Sequence, residues 1–475
     1  MMMPRIRPKR RYSFVIDSFL GGVDQRYDQQ VLPPYAGAEV YNVSTDEGVL
    51  KPCGGYGRKS KYNPYGNGSF LLPKVPDGIK RIHVNKVMGK DVLMLEGEDG
   101  WYEEWYGLSE TVFKKSAGYG SNIKVWIDYS VGQRSMKIIS GPSAGCQFIT
   151  SDGGKIYQYP GFSHGTIYAE RFFGVGDWYY PNRIYFSAQY DPSDLEEGAE
   201  HGGYIDVNSA YGKAVGMAEL GSSLYIFWQH GITELRGYGY QSEFVLRDCY
   251  RCSQFIFDTA EQCGDRLIFA AEDGVYSFDG ERVRCISKRI RDIYGGAEKS
   301  EAVSVFWRNA YYVAVHSDNY GGEGNNVVLR YNCELEKWDI LVGIGIKCMV
   351  RVDDLGKDEL LFLADDGYIY GFDGSDRFGD KPINAVWESP MSTLGKPDMI
   401  KQIRCIMISA EGEGSLEISV ESERGKLKKS LTLSKERRMY SVPMRISGHM
   451  IRLGIRNREG SRFTVAEPVI IFTAG

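Results

Sequence analysis

No run of eighteen apolar residues occurs in the 475-residue chain, so the sequence contains no candidate for a hydrophobic membrane-crossing helix. The start, MMMPRIRPKRRYSF, is basic but lacks the apolar stretch that follows the charges of a secretory signal, and the reading is a soluble protein made in a cytoplasm. The nine cysteines are odd in number and scattered from Cys53 to Cys405, which predicts reduced, mostly buried thiols rather than a disulfide framework. The six histidines never fall two within five residues, and neither an HExxH metal motif nor a GxSxG nucleophile elbow is present. Helical signals are nearly missing too, with Pro192–Glu200 making one short turn at most. A formal net charge of −5 argues against wholesale wrapping of nucleic acid. These absences predict no enzyme, no cofactor and no metal.

What the chain has in excess is glycine and tyrosine, 57 and 33 residues, the composition of many short strands joined by tight turns. One unit recurs: an apolar strand, a turn, an alternating strand and a closing glycine. FAAEDGVYSFDG ends at Gly280 and FLADDGYIYGFDG at Gly374, and similar stretches end at Gly107, Gly161 and Gly237. The spacings are 54, 76, 43 and 94 residues, which are one, two, one and two lengths of a period in the forties. Arg171–Ala188 and Ala310–Leu341 fill the two skipped places with paired β-rich runs. A period of that size holds four short strands and their turns, the content of one propeller blade. The fold class is therefore all-β: a β-propeller of about seven blades (six to eight), with an additional antiparallel β-sandwich formed by the C-terminal region. Unalternating runs such as LYIFW (Leu224–Trp228) and LLFLA (Leu360–Ala364) read as strands covered on both faces, and VYSF and YIYGF as strands nearer the rim.

The domain reading is a basic arm over residues 1–11, an N-terminal β region over 12–85, propeller repeats over 86–380 and the sandwich over 384–475. Charge divides along the same line. Residues 385–475 carry 15 Lys/Arg against 10 Asp/Glu, so the preceding chain is acidic.

Few residues invite chemistry. Asp273, Asp279, Asp366 and Asp373 form carboxylate pairs in the repeats, but Asp before Gly is a turn-capping pattern. Cys249 and Cys252 have half of a zinc spacing, with no second pair. TSDGGKIY (Thr150–Tyr157) is similar to the Asp-box turn of sialidase propellers and occurs once. Two basic groups remain as candidates for nucleic-acid or partner contact: Arg5, Arg7, Lys9, Arg10 and Arg11 in the arm, and Lys426, Lys428 and Lys429 in the stretch Arg424–Arg438.

Several stretches together resemble one family. Phe19–Gly57, with its Gly-Gly-Val start, Leu-Pro pair, Asn42 and a Gly-Val-Leu followed by Gly-Tyr, resembles the opening of bacteriophage tail-tube proteins of the nozzle and tail-hub kind. Glu170–Gly198 is similar to that family's central segment, where an Asn-Arg-Ile-Tyr-Phe-Ser strand leads into Asp-Pro, and Trp387–Ile408 and Arg438–Asn457 are similar to its C-terminal strands. The resemblance implies a structural virion protein, assembled in the host cytoplasm, that rings the tail axis as a homo-oligomer, commonly a hexamer. Its implied partners are adaptor, connector or fibre proteins, and DNA passes through it transiently during ejection. A neutral or acidic lumen would suit that passage, because a basic wall would hold phosphates. The alternative from another class is a carbohydrate-binding or hydrolysing β-propeller acting on a host surface.

Overall fold

The computed structural model describes residues 10–474 apart from 29–30, 34, 64–67, 88–89, 107–110, 116–123, 132–133, 142–144, 151–152, 208, 252–253 and 355. The repeated hairpins share one local device. Asp99, Asp273 and Asp366 stand in the turns, and their carboxylates accept the phenol O–H of Tyr102, Tyr276 and Tyr370 at 3.0, 2.9 and 2.7 Å. Each tyrosine comes three or four residues after its aspartate, on the outgoing strand, so turn and strand order one another. Asp279 and Asp373 cap the next turns, accepting the N–H groups of Glu281 and Arg282, and of Ser375.

Among the described residues five four-stranded antiparallel sheets follow one another along the chain. Their first strands are Ile79–Val87, Val125–Val131, His164–Tyr168, Ala214–Leu220 and Phe255–Cys263. A longer sheet follows, in the order Glu298–Trp307, Ala310–His316, Asn325–Asn332, Lys337–Asp354, Lys357–Ala364 and Ile369–Phe372, continued by Tyr56–Arg58 from the other end of the chain. Lys337–Asp354 belongs to two sets of strands. Its start pairs with Asn325–Asn332 and its end with Lys357–Ala364. The register breaks around Gly343, whose φ of +87° no β-branched residue adopts without strain.

First strands of successive sheets touch in chain order, and Lys337–Asp354 touches both Glu298–Trp307 and Ile79–Val87. Apolar side chains fill the gaps between neighbours. Phe173 and Phe186 meet Leu224, Ile226 and Trp228, while Tyr225 and Phe227 meet Leu267 and Phe269. Ile79, Leu93 and Leu95 meet Cys348, Leu361 and Leu363. Middle strands are thus covered on both faces, and Ser223–Trp228 is buried at every residue. The array is of the β-propeller type.

The structure differs from these expectations at several points. Gly161 follows the fourth strand of its sheet, Gly153–Tyr157, whereas Gly237, Gly280 and Gly374 follow third strands, so the stretch ending there is a different hairpin of its sheet; Gly107 lies outside the described residues. Gly274–Phe278 is the third strand of its sheet, nearer the rim than Arg266–Ala271, and Val283–Cys285 lies outside it and leaves it almost wholly buried. The boundary at residue 85 cuts the strand Ile79–Val87, and Tyr56–Arg58 pairs with Ile369–Phe372, so the N-terminal region completes the repeats. A short helix, Arg291–Gly295, also went unread.

Strands from both ends of the chain form a two-sheet sandwich. One sheet runs Arg11–Val15, Phe463–Ala474, Lys401–Gly412, Arg438–Pro443; the other runs Glu39–Tyr41, Val386–Glu388, Ile451–Asn457, Ser415–Ser422, Gly425–Thr432. Each contains an edge strand from the N-terminal fifty residues, so the C-terminal region does not build it alone. Phe19 packs edge-to-face on the buried Trp387 at 4.9 Å. Asn42, at φ +57°, donates its side-chain amide to the carbonyls of Val342 and Asn384, and its Oδ1 accepts the Val342 N–H at 2.8 Å. One asparagine thereby ties the N-terminal segment to both the long strand and the sandwich.

Candidate interaction surface

Among the described residues, the basic residues singled out in the sequence lie at two different sheets. Arg5, Arg7 and Lys9 lie outside the described residues. Arg10 is exposed and Arg11 opens the edge strand Arg11–Val15 of one sandwich sheet. Lys426, Lys428 and Lys429 lie on Gly425–Thr432, the edge strand of the other sheet. There Lys426 pairs with the buried Glu388 at 3.0 Å and with Glu421 at 3.2 Å, and Lys428 pairs with Glu417 at 2.9 Å. Burial disfavours the Glu388 carboxylate, but Lys426 and Arg456 outweigh it and hold its pKa below the ordinary value. Lysines along an exposed edge also deter pairing with another chain. Cys249 lies on the fourth strand of its sheet, Cys252 is outside the described residues, and among the described residues no group of three or more His, Cys, Asp or Glu could hold a metal.

The strongest anomaly is a turn that the sequence reading used only as part of a repeat. Between Arg171–Val175 and Arg183–Phe186 the chain reads Gly176-Asp177-Trp178-Tyr179-Tyr180-Pro181. Trp178 and Tyr179 are 74% and 73% exposed, and Tyr180 47%. Asp177 is buried beneath them. Its Oδ1 accepts the N–H groups of Tyr179 and Tyr180, each at 2.8 Å, and its Oδ2 accepts that of Gly161 at 3.3 Å. A buried carboxylate with three backbone donors fixes the turn and ties it to the preceding linker.

Other rings extend the surface. Tyr159 stands 5.5 Å from Tyr179, edge to face, and its phenol shares a hydrogen bond with Tyr185 at 3.0 Å. The Arg183 guanidinium lies over Tyr180 at 4.1 Å and Tyr204 at 3.5 Å. Asp206 holds it there through two hydrogen bonds of 2.7 and 3.1 Å, which raise the arginine pKa further. Five partly exposed aromatics and one stacked arginine are the residue types that concentrate binding energy at protein interfaces. Exposed aromatics gathered in this way mark interaction surfaces more often than free surface. Tyr190, after Arg183–Phe186, and Tyr238, after Gly231–Arg236 of the next sheet, share a hydrogen bond of 3.1 Å, and Tyr240 is exposed as well. The signal was present in the sequence: Gly-Asp and Pro announce a turn, and three aromatics inside a turn have no core to enter.

No family model matches the chain, and no curated protein matches it. Solved structures do. BBS1N in complex with ARL6DN has 10% identity over 67% of this chain and 97% of its own, with a TM-score of 0.43. The extracellular domain of the putative hybrid two-component system BT4673 from B. thetaiotaomicron has 7% identity over 63% of this chain and 39% of its own, also at 0.43. Likenesses at that level carry nothing about function, and the architecture rests on the sheet topology.

Proposed function

We propose that the chain is a structural, non-enzymatic assembly protein of a bacteriophage tail, a ring-forming nozzle or tail-tube segment through which DNA is ejected. On this reading the five sheets and the two halves of the long sheet are seven blades of one propeller, closed by Tyr56–Arg58, and the sandwich is a platform built from both chain ends. The carrying observation is the rigid, exposed aromatic turn Trp178–Tyr180, which lies inside the Glu170–Gly198 segment that resembles the tail proteins. A surface so apolar and so firmly held serves contact between protein chains better than it serves a free monomer. The ring would be a homo-oligomer, a hexamer by the resemblance, with adaptor, connector or fibre proteins as further partners in the virion.

Sedimentation velocity and negative-stain microscopy of the purified chain test this. The expected result is a closed ring of several copies that the double substitution Trp178→Ala, Tyr179→Ala shifts toward monomer by about tenfold or more in concentration, with an unchanged melting temperature. A monomer at every concentration overturns it.

A further inference from the structure

A cavity of about 390 Å³ lies where three stretches of the chain meet. Val43–Asp46 and Cys53–Gly55 come from the N-terminal segment, Trp307, Tyr312, Arg330 and Asp339 from the first half of the long sheet, and Glu359, Phe372 and Asp373 from its second half. One wall is aromatic. Trp307, Tyr312 and Phe372 have their ring centres 6.1 to 6.5 Å apart. The floor is ionic. Asp339, 1% exposed, accepts a hydrogen bond from Arg330 at 2.7 Å through Oδ2, and Arg330 also donates to Asp46 at 2.8 Å. Asp339 Oδ1 is buried with no hydrogen-bond partner, the nearest cation, Lys337 Nζ, standing off at 3.6 Å. A buried carboxylate oxygen without a donor is costly, and burial indeed raises the Asp339 pKa against the pull of Lys337 and Arg330.

We infer that this cavity binds a neutral pyranose sugar, as a mono- or disaccharide, whose ring packs on the aromatic wall at the half-buried Phe372 and whose hydroxyls bond to Arg330 and to the lining carboxylates Glu359 and Asp373. The volume is in the range of small-ligand sites. The lining carries five carboxylates, Asp46, Asp339, Asp358, Glu359 and Asp373, against Arg308, Arg330 and Lys357, which disfavours phosphates and other anions. Arg308 lies over Trp307 at 4.3 Å, which leaves Phe372 as the ring the ligand meets, and with Arg330 on the floor it disfavours an incoming cation. A polyol fits both constraints, because each hydroxyl donates to a carboxylate and accepts from a guanidinium. The inference does not depend on ring assembly.

Saturation-transfer NMR on the full chain tests it with glucose, galactose, N-acetylglucosamine, maltose and lactose, with inorganic phosphate and cadaverine as competing classes. At least one sugar should give saturation transfer and quench tryptophan fluorescence. Trp307→Leu and Phe372→Leu should each weaken its binding about tenfold or more, with the sedimentation coefficient unchanged. Asp373→Asn, at an exposed lining carboxylate, should weaken binding too, and if a core aromatic variant fails to fold, this variant decides. Absence of transfer with every sugar at tens of millimolar, binding undiminished in Trp307→Leu, or preference for phosphate or cadaverine each overturns the assignment.

Discussion

The radial sheets and the sandwich solve the same problem, covering strands on both sides, with opposite use of the chain. Each of the five four-stranded sheets is one contiguous segment whose strands pair with their immediate successors. The sandwich pairs residues more than three hundred positions apart: Arg11–Val15 lies against Phe463–Ala474, and Glu39–Tyr41 against Val386–Glu388. Local pairing needs only a turn, while distant pairing needs the intervening array to bring its ends together. The lesson is that the sandwich, with the Tyr56–Arg58 strand, acts as a clasp on the array, and the two regions should respond differently to injury.

The largest effect should come from the clasp. Trp387→Ala removes a buried indole that packs on Phe19 and should cost about 3–5 kcal/mol. Hydrogen exchange should then rise over both 11–50 and 385–474. Trp228→Ala, inside one sheet, should cost a similar amount yet expose chiefly residues 164–251. Equal spread in the two variants would break the comparison. Next, Tyr56→Ala empties a site where one ring touches Phe362, Tyr370, Phe372 and Phe378, at about 3 kcal/mol. Limited proteolysis should open 337–382 before any other part of the array.

Acid sharpens the contrast at smaller scale. Burial works against the charged Asp46, but Arg330 and Lys337 draw its pKa from 3.8 to about 2. A folded pKa below the unfolded one contributes stability that is present above pH 4 and lost as pH falls toward 2, here about 1–2 kcal/mol. Asp46→Asn should remove that part of the pH dependence while leaving the part from Glu96, also lowered to about 2, which lies within the first sheet beside His83 and Lys124. Urea melts at pH 2, 3, 4 and 6 read both. The smallest effect is at the edge strand: Lys428→Ala with Lys429→Ala should change stability by under about 1 kcal/mol and show instead as faster aggregation in light scattering.

Much of the array was readable because its signals are local. Asp-Gly turns, buried runs such as Leu224–Trp228 and the Tyr that follows each turn Asp lie within one hairpin. The hairpin ending at Gly161 misled because a fourth strand can carry the same turn chemistry as a third; composition does not number strands within a sheet. The aromatic turn at Trp178 was readable only as a residue pattern, since exposure depends on what fails to pack against it. The cavity beside Asp339 was not legible at all: its lining comes from stretches as far apart as Val43 and Gly374.

The amino-acid sequence by itself determined an all-β chain of short hairpins and a change of strand type near residue 384, because alternation and turn residues act over a few positions. Only the tertiary structure decided that the N-terminal fifty residues complete the sandwich, that Tyr56–Arg58 extends the last sheet, and that Asp339 is buried with Arg330 and Lys337 beside a cavity. Those outcomes depend on which distant surfaces meet, and that is settled by packing the whole array at once.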